Sequence, residues 1–435
     1  MKKYLALGLL AVCIMLQLLG CSSNDYRKAT EEQNGIDFVE MGIVPEDMEN
    51  TETDETDEAV EGAADDNLEQ KKELREAAST ESEDTLAEAE KNTTDEETEK
   101  NWEVPAMEVE NYVYGTLDTA TQQVYHELLE AILAHKEKVE VSTVDLDILE
   151  NAYEAIFADH GGLFWVSGYA YTQYSLGGKL VSMEVSPQYT MELQERESIQ
   201  KQIDAVAAEF LAGISVTDTD YDKAKYVFET LIRNVEYDTF AENNQNIISV
   251  FLNRSTVCQG YACATQYLLE KTGIQSAIVK GNANGGAHGW NLIRLDGKYY
   301  YMDTTWGNSR YKDADSGMDK YVNYSYLALS AKELRKTHRI DVGFALPECN
   351  SMEHNYFVRE GLYFREWQPE KIGSMLSEIW DNGGGEVALK FSIPSMCEMV
   401  IDYFVKEQHV ADYCETITTI YYLYDEEQNV VIFQI

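Results

Sequence analysis

Charge is spread very unevenly along this chain, and that limits what it can fold into. Residues 25–104 hold 29 Asp and Glu against 7 Lys and Arg, an excess of 22 negative charges. That is half of the net −44 in under a fifth of the 435 residues. The segment has few aromatics and no sustained apolar period. It cannot bury enough surface to offset the entropy of ordering it. Residues 21–104 therefore read as a disordered acidic stalk. What folds must follow it, about 330 residues, enough for two or three domains. This body is acidic as well, which argues against nucleic acid and anionic lipid as partners.

Ahead of the stalk, Met1-Lys2-Lys3 precedes an apolar stretch from Tyr4 to Leu19 and then Leu18-Leu19-Gly20-Cys21. Two lysines, a short apolar region and a small residue before a cut site make a signal peptide over residues 1–20. The stretch is shorter than the roughly 20 residues of a membrane span. Leu-Leu-Gly-Cys resembles the bacterial lipoprotein box. That resemblance implies a lipid on Cys21 and an anchor on the extracytoplasmic face of the cell membrane, with Ser22, Ser23 and Asn24 opening a polar tether. Cys13 would leave with the signal. Cys258, Cys263, Cys349, Cys397 and Cys414 would remain, an odd number without zinc-site spacing.

Apolar periodicity predicts helices over 118–136 and 146–158, then strands over 163–174 and 179–186 around Gly177-Gly178. Two further helices carry Ile199, Ile203, Val206 and Phe210, and Ala224, Val227, Phe228 and Leu231. A helix from Thr256 to about Lys271 stops at Gly273, and two strands flank Asp296-Gly297. Beyond Pro347 the pattern predicts a strand over 356–364, a helix over 369–380 and a strand over 386–393. A helix over 396–406 and a closing hairpin over 417–424 and 430–435 follow.

The chemistry centres on Ser255-Thr256-Val257-Cys258-Gln259-Gly260-Tyr261-Ala262. Thr256 with Gln259 three residues on fits a capping box, which puts Cys258 in the first turn of a helix. There its sulfur meets unpaired backbone N–H groups and the positive end of the helix dipole, and both favour thiolate. Gly260 and Ala262 leave room for another element to approach. Alone, such a cysteine reads as a small buried hydrophobe. The next segment changes that reading. Asp296-Gly297 between apolar runs predicts a two-residue hairpin. Leu295 then faces Lys298, Trp290 faces Asp303 and His288 faces Thr305. Alternation puts His288, Trp290, Asp303 and Thr305 on one side, with His288 and Asp303 as diagonal neighbours about 7–8 Å apart at the backbone. A carboxylate there can fix the imidazole tautomer beside a thiol nucleophile.

Val257-Cys258-Gln259-Gly260-Tyr261, His288-Gly289-Trp290-Asn291 and Asp303-Thr304-Thr305-Trp306 together resemble the transglutaminase-like superfamily, most clearly over residues 218–310. The resemblance implies an α+β fold with a papain-like core over 218–345. Around it are expected a helical and hairpin N-terminal extension over 105–217 and a small α+β C-terminal domain over 346–435. It implies thiol acyl transfer on peptide or protein amides, with Cys258 attacking, His288 moving the proton and Asp303 orienting His288. The product could be a cleaved, cross-linked or deamidated amide, on a substrate that could belong to the cell wall. The Cys258 backbone N–H would serve the oxyanion. Gln245 is the candidate to stand in for the tryptophan that animal relatives carry upstream of the cysteine, with a loop cap as the alternative reading. Trp290 would shelter the His–Asp contact and Trp306 would wall the cleft, with core packing as the alternative for either.

Cys263 is expected to pack. His126, His135, His160, His338, His354 and His409 have no metal-site spacing. Asp313, Asp315 and Asp319 lack the glycine and glutamate positions of an EF-hand. No metal or cofactor is expected. The competing reading is a non-enzymatic lipoprotein that uses the same fold to hold a peptide or wall ligand.

Overall fold

The computed structural model describes residues 110–309 and 321–435. Before them it gives only the backbone of two short strands, Lys2–Tyr4 and Val39–Gly42. Apart from those strands, the expected signal peptide, Cys21, the acidic stalk and the loop with Asp313, Asp315 and Asp319 lie outside the described residues.

The fold is α+β. Its centre is an antiparallel sheet in the order Lys298–Met302, Gly286–Leu295, Ser276–Ala283, His338–Ile340. Asp296 and Gly297 both take positive φ (47° and 79°), as a two-residue hairpin turn requires. Pairing runs from Lys298 opposite Leu295 to Met302 opposite Asn291. The helix Cys258–Lys271 lies against this sheet. Asn291 Nδ2 donates to Ala262 O at 2.9 Å, and Gly289 faces Gln259 and Ala262. A side chain on Gly260 would collide with Thr256 Oγ1 and sit 2.9 Å from Asn244 O. The close approach expected at Gly260 is thus made by the preceding loop.

The N-terminal helices Thr119–Leu133 and Leu146–Asp159 and the hairpin Val166–Leu176/Lys179–Tyr189 share one apolar core with the central sheet. Val124, Leu128, Ile156, Phe228, Leu268 and Ile293 are all buried in it. Each such side chain stabilises the fold by about 1.5–3 kcal/mol. Polar contacts fix the seating. Asp159 accepts from the backbone N–H of Val113 and Tyr114 at 2.9 and 2.8 Å. Gln266 Nε2 donates to Asp159 O at 2.5 Å, and Gln266 Oε1 accepts from Gly161 N at 2.9 Å. A Cβ on Gly161 would lie 2.6 Å from Cys263 O, so loop backbone rests directly on the cysteine helix.

The C-terminal sheet runs Tyr363–Phe364, Glu386–Phe391, Val430–Gln434, Thr419–Asp425, with Val39–Gly42 at its edge. Helices Pro369–Asp381 and Pro394–Ile401 help to build its own apolar core, which includes Ile372, Leu376, Phe391, Val400 and Phe433. Lys390 of this sheet pairs with Glu333 at 3.1 Å.

Several local expectations change. The strand expected over 356–364 is a helical turn, Tyr356–Arg359, and then a two-residue strand. Gly361 at φ 72° redirects the chain between them. The helix expected over 396–406 is α-helical only to Ile401 and finishes as a π-turn. No capping box opens the cysteine helix. Val257 is the N-cap, and Thr256 Oγ1 instead donates to Asn244 O at 2.9 Å and accepts from Ser249 Oγ at 2.7 Å. The strands Ser276–Ala283 and His338–Ile340 were not among the expected elements.

Candidate active site

Cys258 is the first residue of its helix, at the positive end of the helix dipole. It is 3% exposed and borders a cavity of about 610 Å³. His288 lines the same cavity from the neighbouring strand, and Gln259 from the helix. Glu154, Lys280 and the segment 339–344 form other parts of the wall. Burial pushes the Lys280 ammonium below its usual range, with Glu154 opposing the shift. Burial pushes the Glu154 carboxyl up, against the pull of Lys280.

Behind the cavity His288 Nε2 lies 2.6 Å from Asp303 Oδ2. Asp303 is wholly buried. It does not continue the hairpin, because pairing ends at Met302. Asp303 becomes the N-cap of the turn Thr304–Gly307, its Oδ1 accepting from Trp306 N at 3.0 Å. The expected pairings of Trp290 with Asp303 and His288 with Thr305 therefore do not form, and Thr305 lies inside that turn. The side-chain contact survives because the backbone turns within reach of the imidazole. Burial alone would raise the Asp303 carboxyl. The charge and hydrogen bond of His288, joined by those of His338, outweigh it and hold the group well below the usual carboxylate range.

The second histidine was missed at the sequence level. His338 Nε2 lies 2.9 Å from the same Asp303 Oδ2, and its Nδ1 is 2.7 Å from Thr337 Oγ1. It reaches the site on a three-residue edge strand, 35 positions beyond Asp303. A strand that short has no period to detect. The ligand atoms of His288, Asp303 and His338 lie within 4.8 Å of one another, a spacing that could suit a metal ion. Both nitrogens instead reach the carboxylate directly at hydrogen-bond distance.

Gln245 is not brought to the cavity. It is exposed, and its amide donates to Asn244 Oδ1 at 3.0 Å. Trp290 stacks on His288 with centroids 5.8 Å apart, beside the His–Asp contact. Trp306 does not wall the cleft. It is buried against His338 at 4.6 Å and His288 at 5.9 Å. Cys263, on the same helix as Cys258, is buried and accepts from Gln259 Nε2 at 3.2 Å.

The family description of the transglutaminase-like superfamily matches residues 207–304. The human kyphoscoliosis peptidase is 22% identical over 142 residues, 27% of this chain and 22% of that protein. Its mouse counterpart is 22% identical over 107 residues, 21% of this chain and 16% of the relative. The chain thus spans about a fifth of the length of these curated relatives. Among solved structures, one described as a TGase aligns with 39% of this chain and 50% of its own, at 12% identity and a TM-score of 0.24. A candidate cysteine protease from Cytophaga hutchinsonii aligns with 35% of this chain and 65% of its own, at 12% identity and a TM-score of 0.22.

Proposed function

We propose that the chain is a thiol enzyme acting on peptide or protein amides, with Cys258 as nucleophile, His288 as proton carrier and Asp303 as its orienting carboxylate, a reading supported by the match of residues 207–304 to the transglutaminase-like superfamily. The observation that carries this reading is the 2.6 Å contact of His288 Nε2 with buried Asp303, behind a cavity that His288 and Cys258 both line. With Nε2 committed to the carboxylate, Nδ1 is the nitrogen that takes the thiol proton. The thiolate then attacks the amide carbon. The carbonyl oxygen becomes an oxyanion, and the Cys258 backbone N–H is one donor for it. Collapse breaks the C–N bond as Nδ1–H gives its proton to the departing amine. A thioester remains on Cys258. Water or a second amine, deprotonated by Nδ1, attacks that thioester and expels the thiolate. Water gives a cleaved or deamidated product, and an amine gives a cross-link.

Thiol reactivity tests this reading without a known substrate. Burial pushes the thiols of Cys263, Cys349 and Cys414 up to about 11 and that of Cys397 to about 12. Cys258 alone among the five borders the cavity beside an imidazole. Limited iodoacetamide treatment at pH 7, followed by peptide mapping, should mark Cys258 first. If Cys258 is the slowest of the five, the nucleophile assignment falls.

Leu18-Leu19-Gly20-Cys21 supports placing the enzyme outside the cytoplasm, held to the membrane by a lipid on Cys21. Peptides or proteins at or near the cell wall would then be within its reach. Cys21→Ala should release the protein from membranes or leave it unprocessed. Unchanged mass together with unchanged membrane association would exclude the anchor.

A further inference from the structure

Resting on the thiol-enzyme reading, we propose that His338 is a positioning residue: a neutral imidazole, held as its Nε2–H tautomer by the Thr337 hydroxyl, that fixes the Asp303 carboxylate in the orientation in which it grips His288.

The chain of contacts leaves little choice of donor and acceptor. Asp303 as a carboxylate can only accept. Both imidazole Nε2 atoms at its Oδ2, 2.6 Å from His288 and 2.9 Å from His338, must therefore carry hydrogen. The other nitrogen of a neutral His338 is then an acceptor, and Thr337 Oγ1 stands 2.7 Å from it to donate, much nearer than the hydroxyl's other acceptor, Leu334 O at 3.5 Å. Asp303 Oδ1 is held separately by Trp306 N. Three donors thus pin the carboxylate, and His338 is the one that competes with His288 for the same oxygen. That competition prevents the carboxylate from rotating away from His288 or drawing the proton fully from it.

The ring is locked in place. His338 is 1% exposed, between Trp306 at 4.6 Å and Trp290 at 4.9 Å, with Tyr326 at 6.1 Å. Its strand pairs with Gly281–Ala283, where a side chain on Gly281 would strike Arg339 O. The titratable groups facing it are Asp303, His288 and Tyr326. Burial lowers its pKa, Asp303 partly restores it, and the net lowering favours the neutral ring.

A merely packed histidine would be indifferent to the chemistry of its nitrogens, and this separates the two roles. The experiment measures the rate of Cys258 alkylation by iodoacetamide from pH 5 to 10 on the full chain, with folding followed by thermal melting. His338→Phe should slow the reaction about tenfold at pH 6, the scale of one lost hydrogen bond to a charged group. It should leave the rate unchanged near pH 10, where thiols ionise without help. His338→Gln, whose amide can still donate to Asp303, should recover most of the loss. Thr337→Val spares the ring and releases the tautomer, so it should show a smaller loss on the same acid limb. Imidazole ¹⁵N shifts should report the Nε2–H form of His338. A folded His338→Phe protein with the wild-type profile overturns the proposal, as does an Nδ1–H tautomer. If His338→Phe does not fold, a wild-type profile in Thr337→Val overturns it equally. Should wild-type Cys258 react like an ordinary thiol at pH 6, the thiol-enzyme reading fails instead, and the ¹⁵N result still decides the tautomer.

Discussion

Cys258→Ala should abolish turnover, by about a factor of 10⁶ on the scale of lost nucleophiles, while the protein stays folded and its cavity intact. The change removes one sulfur from a side chain that makes no disulfide and borders a cavity, so little packing is lost. Alanine keeps the start of the helix, because the N-cap is the backbone of Val257 and no side-chain cap is involved. A peptide substrate found by library screening should still bind the variant. Activity within tenfold of wild type would show that the chemistry lies elsewhere.

Asp303→Asn should lower turnover by about 10⁴, the scale seen when an orienting carboxylate becomes an amide and the imidazole takes the wrong tautomer. The physical reason is local. An amide NH₂ placed on the Oδ2 side meets two imidazole nitrogens that both present hydrogen to Asp303. His288 can accommodate it only by moving its proton to Nδ1, the nitrogen that must accept from the thiol. Turning the amide over instead costs the bond from Trp306 N. Either way a buried donor is left over, at about 1–3 kcal/mol of stability. The pH dependence has a definite sign. The Asp303 pKa is depressed in the folded state, so its contribution to stability is present above the ordinary carboxylate pKa of about 4. It is lost as pH falls through the folded value. The variant should therefore be less stable than wild type at neutral pH, and that difference should shrink in acid. Melting curves from pH 7 down to 2, beside turnover or Cys258 alkylation, check both halves. Full activity in the variant would remove Asp303 from the mechanism.

The hairpin was legible because Asp296-Gly297 specifies a turn, and a two-residue turn fixes every pairing that follows it. That logic held through Met302 and failed at Asp303, where the carboxylate uses its own Oδ1 to start a helical turn. The contact with His288 was anticipated nonetheless, since one departing residue stays within a side-chain length of its diagonal neighbour. The position of Cys258 at a helix start was readable, but the cap was not. Thr256 has a hydroxyl at the right spacing and uses it across the loop on Asn244 and Ser249. Gln245 looked plausible only as an amide in a polar run, and nothing in that run says which way the loop faces. His338 lay beyond sequence reasoning. Its place beside Asp303 depends on an edge strand docking beside Ser276–Ala283, a long-range pairing with no local signature.

None of the five cysteines in the described region forms a disulfide, and four are sealed in apolar surroundings that suppress ionisation. The body is therefore held together by packing and hydrogen bonds, and a reducing environment takes nothing from it. Oxidants meet a different surface. Peroxide reacts with thiolates it can reach, and only Cys258 among the five borders the cavity. On the thiol-enzyme reading a sulfenic acid would form at Cys258 while the four thiols away from the cavity stay intact. Oxidative stress would thus silence such an enzyme before it unfolded it, and a thiol reductant could restore it as long as oxidation stopped at that first, reversible step.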